Sequence, residues 1–377
     1  MSSISASVLV GPKELILETR TLPDPLPNEC QVAVRATTLC GSDLHYYNHF
    51  ANGDFKVRES LSLGHESAGE VVAVGSAVTD LKVGDRVALE VGISCLECDM
   101  CRRGKYNLCQ RMQFRSSAKS FPHFQGTLQE RINHPASLCH KIPSSISYDA
   151  AALIEPLSVA IHASRRSGVN PGDKVLVFGA GAVGLFCAAM AAVSGASTIA
   201  IADISPGRVD FAVKNGFATH GYVVPLGPRP TTTEDKLKSA RVTADAITSI
   251  KMSEDEDETL ESFDVAFECT GVESCIQASI YAAKAGGKVM FVGMGSPVQT
   301  LHVGAAMTRE VDLLGVFRYA NVYPTAIALL RQGKIPAFES LVTHKFSGLQ
   351  NAAAAFEVAG KTSDENGNLV IKTVINT

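Results

Sequence analysis

Four cysteines, Cys95, Cys98, Cys101 and Cys109, form a Cys-x2-Cys-x2-Cys-x7-Cys run. Spacings this short let one lobe wrap around a tetrahedral Zn²⁺. Four thiolates complete the tetrahedron and leave no open position, so the expected site is structural. Upstream stand Cys40 and the triplet Gly64-His65-Glu66. Sulfur, imidazole and carboxylate from Cys40, His65 and Glu66 leave a coordination position open, which is what a catalytic zinc needs. A lone buried Cys or His is ordinarily core, and a zinc module of a nucleic-acid binder accounts for the four-cysteine run alone. Two sites of different character in one chain imply an enzyme.

At 377 residues the chain fits two domains of ordinary size. With 46% hydrophobic and 19% charged residues its composition is that of a soluble globular protein. The net charge of −4, without a dense Lys/Arg stripe, argues against a nucleic-acid partner. No apolar run approaches the ~20 residues that span a bilayer, so no membrane association is expected. Residues Met1 to Val10 do not read as a signal peptide, and Val374-Ile375-Asn376-Thr377 carries no retention or lipidation signal. Of ten cysteines, four have metal spacing and six are scattered, which suits a reducing compartment. The expected location is the cytoplasm.

The amino-terminal part reads as β-rich. Alternating runs such as Cys30–Arg35 and Gly69–Gly75 are separated by Pro, Gly and Asp turns. A compact β-barrel-like domain with both metal sets on its loops is expected. Ala150 to Gly168 has helical period, and from Asp173 strands alternate with helices: Lys174–Phe178, Thr198–Ala202, Asp264–Glu268, Lys288–Val292 and Asp312–Gly315 are the strands. This alternation implies a doubly wound parallel sheet and an α/β class. After Tyr319, a helix over Val322–Gln332 and the segment Leu341–Thr377 revert to mixed character. The expected domains are 1–157 with 318–377, and 158–317. Pro225–Ser262 turns polar, and Glu254–Glu258 is expected to be a solvated loop or helix face.

Gly179-Ala180-Gly181-Ala182-Val183-Gly184 is G-x-G-x-x-G. The pattern is weak alone, but here it follows an apolar strand, opens a helix, and is answered by Asp203 roughly 20 residues on. Gly179 allows the tight turn, Gly181 lets backbone N–H groups approach a pyrophosphate, and Gly184 lets helix and strand pack closely. Asp203 is placed to accept from the adenosine ribose hydroxyls and would repel a 2′-phosphate, which favours NAD over NADP. Arg208 is close enough to complicate that preference or to cover the adenine.

With these motifs together, the chain resembles the zinc-dependent medium-chain dehydrogenases/reductases. Gly64 to Gly75 reproduces the family's G-H-E-x2-G-x5-G signature, followed by Gly84-Asp85-Arg86-Val87. Leu153-Ile154-Glu155-Pro156-Leu157-Ser158-Val159, Glu268-Cys269-Thr270-Gly271, Arg309-Glu310-Val311-Asp312 and Gly315-Val316-Phe317-Arg318-Tyr319 resemble the polyol branch, the sorbitol (L-iditol 2-) dehydrogenases and their relatives. The resemblance covers essentially the whole chain. It implies a GroES-like catalytic domain beside a Rossmann domain, with one catalytic and one structural Zn²⁺ per subunit. Cys40, His65 and Glu66 match the catalytic ligands, and Glu155 matches a carboxylate that reaches the metal directly or through water. Alcohol dehydrogenases of the superfamily carry a cysteine where this chain has Glu155.

Tyr46, Arg318 and Tyr319 match polyol contacts, and Ser42 and His45 stand where the superfamily often places a proton relay. Val183, Asp203 and Arg208 match cofactor contacts, with Val292, Gly293 and Met294 and with Val316, Phe317 and Arg318. The implied reaction is oxidation of a secondary alcohol to a ketose with hydride transfer to NAD, sorbitol to fructose first, with xylitol or L-arabinitol as alternatives. Phe55 and Phe317 lean towards sorbitol or xylitol, since L-arabinitol dehydrogenases tend to carry Met and Tyr there. A threonine- or butanediol-type dehydrogenase, or a metal-free reductase, is the further alternative. The family commonly forms dimers or tetramers, and a homotetramer is expected, with Gln299–Val303 as an exposed edge strand pairing across a two-fold axis.

Overall fold

The computed structural model describes residues 1–227, 230–253 and 257–377. These form two compact units, one of Met1–Ser158, Tyr319–Gly333 and Phe338–Thr377, the other of Val159–Arg318 with Lys334–Ala337.

The first unit is built on the strand Glu29–Thr38, whose apolar alternation buries Val32 and Val34. On one edge it pairs antiparallel with Glu66–Val74. Its other edge is divided: residues 29–33 pair with Arg131–Pro135, and residues 36–38 pair with Lys372–Asn376. Register shifts at Gln31/Val32 and Val34/Ala36 mark bulges, which bend a strand and increase its twist. Outward from this centre run Arg86–Leu89 and Cys139–Lys141 on one side and Val342–Ser347 on the other. One core packs Leu9, Leu61, Leu63, Leu128 and Phe356, and a second packs Val32, Val71, Val87, Leu89 and Ile132 beside the cysteine lobe.

The second unit is a six-stranded parallel sheet. Its spatial order is His220–Val223, Thr198–Asp203, Lys174–Phe178, Phe263–Glu268, Ala283–Phe291, Asp312–Gly315. In chain order that is 3-2-1-4-5-6, the doubly wound arrangement whose switch point lies between the first and fourth strands. Near-continuous apolar runs suit strands covered on both faces, and Leu176, Phe178, Phe263 and Val289 are buried.

The structure revises several expected elements. The helical stretch from Ala150 divides into Tyr148–Ala152 and Ile154–Ser167. Pro156 has no N–H to donate to Ala152 and fits only the first turn of a helix, so a new helix begins just before it. A helix, Thr233–Thr248, and a strand, His220–Val223, add to the elements expected around the polar stretch. Of the acidic run, Glu254–Glu256 lie outside the described residues, and Asp257 pairs with Lys251 at 3.3 Å. Gln299–Val303 is not a strand; Val303 opens the helix Val303–Met307. Side chains take the hydrogen bonds there: Thr300 N donates to Glu273, His302 N to Gln277, and Gln299 donates to the Gly271 and Ser296 carbonyls. The edge strands of the sheet are His220–Val223 and Asp312–Gly315.

A Cβ at Gly184 would overlap the Gly179 carbonyl oxygen, so the helix Ala182–Val193 can approach its strand only with glycine there. Gly184→Ala is therefore expected to destabilise the protein by about 1–3 kcal/mol, read from urea unfolding. An unchanged midpoint would contradict this packing.

Candidate active site and metal centres

Cys40 ends the run from Glu29–Thr38 and is the N-cap of the helix Gly41–His49. His65 directly precedes, and Glu66 begins, the neighbouring strand. Pairing of Thr38 with Glu66 brings these ends together, and the Sγ of Cys40, a ring nitrogen of His65 and a carboxylate oxygen of Glu66 lie within 4.8 Å of one another. His65 and Glu66 are buried.

Each of these groups is held by others. Asp43, wholly buried on the helix, accepts from His65 Nδ1 at 3.2 Å, from Gly64 N at 3.2 Å, from Ser116 Oγ at 2.6 Å and from Cys40 N at 3.2 Å. This carboxylate fixes the imidazole as an outer-shell partner of a metal ligand does. Burial disfavours charge on His65, but Asp43 and Cys40 outweigh it and hold its pKa well above the ordinary value. Glu66 accepts from Lys372 Nζ, at 2.6 Å on Oε1, and from Thr38 Oγ1 on Oε2. Lys372 Nζ also donates to Leu39 O at 3.0 Å and is itself buried.

Glu155, in the first turn of Ile154–Ser167, is buried and lies outside the Cys40–His65–Glu66 set. Burial, opposed by His65 and reinforced by Glu66, pushes its pKa to about 7. Tyr319 is 3% exposed, and its buried hydroxyl makes no hydrogen bond within 3.5 Å, though Glu155 and Tyr323 are near enough to act on it. The field of Glu155 adds to burial in holding that phenol well above its usual pKa. Tyr46 is buried on the Gly41–His49 helix, and its hydroxyl accepts from Ala118 N at 3.1 Å. Ser42 is half-buried and His45 exposed on the same helix; burial and the neighbouring His49 hold the His45 pKa below the usual value. Phe55 is half-buried against the Leu9–Tyr46–Tyr47 core. Phe317 and Arg318 fall in the second unit, where the Arg318 guanidinium lies 4.7 Å from the Phe317 ring centre.

The cysteine lobe is drawn together by a short helix, Asp99–Arg102, and a 3₁₀ turn, Tyr106–Leu108. The Sγ separations are 3.5 Å for Cys98–Cys101, 3.5 Å for Cys95–Cys109 and 3.9 Å for Cys95–Cys101. A tetrahedron with Zn–S bonds of about 2.3 Å has edges of about 3.8 Å. The four sulfurs thus fit one zinc ion. The mixed set offers another ion sulfur, nitrogen and oxygen donors that lie close together.

In the second unit, Gly179 has φ +95°, and Gly181 caps the helix Ala182–Val193 without a side-chain cap. A Cβ at Gly181 would enter open space, so the N–H groups of the first helical turn face a cradle that suits a pyrophosphate. Asp203, at the end of Thr198–Asp203, accepts from Ala180 N at 2.7 Å and Ser205 N at 2.8 Å. Arg208 is partly buried on the next helix, near enough for Asp203 to act on its charge. Val183 is in the first turn after Gly181. Val292 N and Gly293 N donate to Glu268 O at 2.9 and 2.8 Å, Met294 is largely exposed, and Val316 N donates to Phe291 O at 2.9 Å. The segments carrying these residues follow carboxyl ends of the sheet strands, where ligands of doubly wound folds bind.

Asp43, Thr38 and Lys372 were not expected from the sequence. Lys372 did leave a signal, as the one charge in the apolar run Val370–Ile375.

An open three-residue centre, a closed thiolate centre and a dinucleotide cradle define a zinc-binding dehydrogenase. Comparison with known proteins agrees. Residues 26–144 match the alcohol dehydrogenase GroES-like domain and residues 182–332 the zinc-binding dehydrogenase domain. The sorbitol dehydrogenase of Gallus gallus is 39% identical over 344 residues, 91% of this chain and 90% of that protein. D-xylulose reductase A of Aspergillus niger is 40% identical over 352 residues, 93% of this chain and 92% of that protein. Among solved structures, L-idonate 5-dehydrogenase of Escherichia coli superposes with a TM-score of 0.83 at 25% identity, over 100% of this chain and 99% of that one. A zinc-binding dehydrogenase of Sinorhizobium meliloti bound to NADP gives 0.83 at 25% identity, over the full length of both. The chain belongs to the zinc-dependent medium-chain dehydrogenase/reductase family, in its polyol branch. It is an oxidoreductase acting on CH–OH groups. Among the described residues no helix is long and apolar enough to cross a membrane.

Lys372→Met removes the only cation hydrogen-bonded to the buried Glu66 carboxylate among the described residues. Breaking a buried pair in this way is expected to cost about 3–5 kcal/mol, measured by urea unfolding of the metal-free protein. A loss below about 1 kcal/mol would show that the pair is not needed to hold Glu66.

Proposed function

We propose that this chain oxidises a secondary hydroxyl of a polyol to a ketose with transfer of hydride to NAD, sorbitol to fructose being the preferred reaction and xylitol the nearest alternative. The observation that carries this reading is the cluster of Cys40, His65 and Glu66 with buried Glu155 and the unpartnered Tyr319 hydroxyl in the same unit. The similarity to sorbitol dehydrogenases and D-xylulose reductases supports the substrate class.

In this reading Cys40, His65 and Glu66 hold a catalytic zinc, with Glu155 as a further ligand or an outer partner. Cys95, Cys98, Cys101 and Cys109 hold a structural zinc. When bound, the catalytic zinc supplies Lewis acidity that makes the substrate hydroxyl more acidic, and NAD accepts the hydride. The remaining work belongs to the protein. Asp43 keeps the His65 ring oriented, and Cys40 is placed as the N-cap of the Gly41–His49 helix. Burial and the charge of Glu66 raise the Glu155 pKa, so its carboxylate holds a proton more readily than an exposed glutamate does. Ser42 and exposed His45 carry a proton from the site to solvent.

Tyr319, Tyr46 and Arg318 read the polyol hydroxyls, and the buried Tyr319 hydroxyl gains a partner when substrate binds. Phe55 and Phe317 lean the preference towards sorbitol or xylitol over L-arabinitol. Packing differences of this size discriminate by only ~1–3 kcal/mol, so activity on several polyols is expected.

Asp203 would accept from the adenosine ribose hydroxyls of a bound cofactor, where a 2′-phosphate would meet like charge, and this favours NAD. Val183, Arg208, Val292–Met294 and Val316–Arg318 complete the cofactor contacts. The ten cysteines, none in a disulfide, suit a reducing compartment such as the cytoplasm. A homotetramer is the assembly that the family resemblance favours.

Initial rates of NADH formation on sorbitol, xylitol and L-arabinitol at equal concentration test the reading, with NADP in place of NAD as a control. Sorbitol is expected to be fastest, L-arabinitol slowest, and NADP roughly tenfold or more poorer, equivalent to ~1.4 kcal/mol. A preference for L-arabinitol would remove Phe55 and Phe317 as specificity determinants, and equal use of NADP would remove Asp203 as the cofactor filter.

A further inference from the structure

The four-cysteine lobe reaches well beyond its sulfurs. Gly104 and Tyr106 lie between Cys101 and Cys109, and both grip Asn321. Asn321 N donates to Tyr106 Oη at 2.7 Å, and Asn321 Nδ2 donates to Gly104 O at 2.8 Å. The grip matters because Asn321 has φ +57°, in the left-handed region that non-glycine residues rarely adopt. A strained conformation of this kind persists only where its surroundings over-determine it.

Tyr106 is itself fixed. Its hydroxyl donates to Glu90 Oε1 at 2.5 Å, and the other oxygen of that buried carboxylate accepts from His140 Nε2 at 2.8 Å. On the far side of Asn321, Tyr323 donates to Leu89 O at 2.8 Å and stacks on His140, with ring centres 4.8 Å apart. Tyr319, two residues before Asn321, lies with its ring 5.5 Å from that of Tyr323 and its hydroxyl buried and unpartnered. The segment Tyr319–Tyr323 is thus held by the lobe on one side and by Leu89 and His140 on the other, all within the first unit.

We propose that the cysteine lobe is a positioning device for substrate: through Tyr106 and Gly104 it clamps Asn321 in a left-handed turn and thereby sets the place of the Tyr319 hydroxyl. The proposal rests on the reading of Tyr319 as a polyol contact. Tyr106 and Asn321 touch no reacting group and act only through Tyr319. The lobe then has a role in substrate affinity that its sulfur chemistry alone does not give it, and its loosening weakens polyol binding before it affects cofactor binding.

The test compares wild type with Tyr106→Phe, Asn321→Gly, the double variant and Tyr319→Phe, each as full-length metal-loaded enzyme. Readouts are KM and kcat for sorbitol, NAD affinity by fluorescence titration, zinc content and thermal melting. Tyr106→Phe and Asn321→Gly are each expected to raise the sorbitol KM about five- to tenfold, with zinc content unchanged and NAD affinity within about twofold. In the double variant the increases should not simply multiply, because both bonds hold the same turn at residue 321. The side chain of Asn321 is exposed and glycine accepts its backbone angle, so that variant keeps the test decisive should Tyr106→Phe fold poorly. A sorbitol KM within about twofold of wild type in Asn321→Gly and Tyr106→Phe, or an equal loss of NAD affinity, overturns the clamp. If Tyr319→Phe raises the sorbitol KM and the other two do not, only the clamp fails. If Tyr319→Phe also leaves that KM unchanged, the reading of Tyr319 itself fails and the clamp with it.

Discussion

A carboxylate and an ammonium, Glu66 and Lys372, meet in the interior of the first unit, and the geometry of the metal cluster depends on that pair. Glu66 starts one strand, Lys372 starts a second, and Thr38, which donates to the same carboxylate, ends the strand between them. The pair pins three adjacent strands at one end of the sheet. Cys40 follows Thr38 by two residues and His65 precedes Glu66, so strand register alone carries sulfur and imidazole to the carboxylate. A buried pair of charges is poor evidence for stability, since desolvation consumes much of the attraction. Its value here is orientation.

The two centres differ in how much of them local sequence can encode. The thiolate lobe is contained within Cys95–Cys109, and its spacing was legible because short loops dictate its geometry. The glycine fingerprint was legible for the same reason, with Gly179, Gly181 and Gly184 each meeting a steric demand of one strand–turn–helix unit. Cys40, His65 and Glu66 were legible as residue types, but their supports were not. Lys372 reaches Glu66 across 306 residues of chain, and no local pattern announces such a pairing. Asp43 was hidden differently: it reads as an ordinary helix-start acid, whereas its carboxylate is buried among four donors.

The misread elements have physical reasons of the same kind. Gln299–Val303 has the composition of a strand, but Glu273 and Gln277 capture the N–H groups that a ladder would have used. Thr233–Thr248 lies in the polar stretch to which the sequence assigned no element, and it is a helix capped by Thr232, whose side chain accepts from Asp235 N. It buries Ala240, Ala244 and Ile247 in the core that also holds Phe178, Ile276 and Ile280. Propensity and period describe segments; competition for donors between segments is visible only once they are folded.

The central claim is that Cys40, His65 and Glu66 form a catalytic zinc centre separate from the thiolate lobe. Zinc per chain, measured by inductively coupled plasma mass spectrometry alongside turnover in wild type and Cys40→Ser, tests it most directly. The account predicts close to two zinc ions in active wild type, and close to one in a folded Cys40→Ser protein that still binds NAD but does not turn over. A Cys40→Ser protein with full activity, or one that loses no zinc, would contradict it.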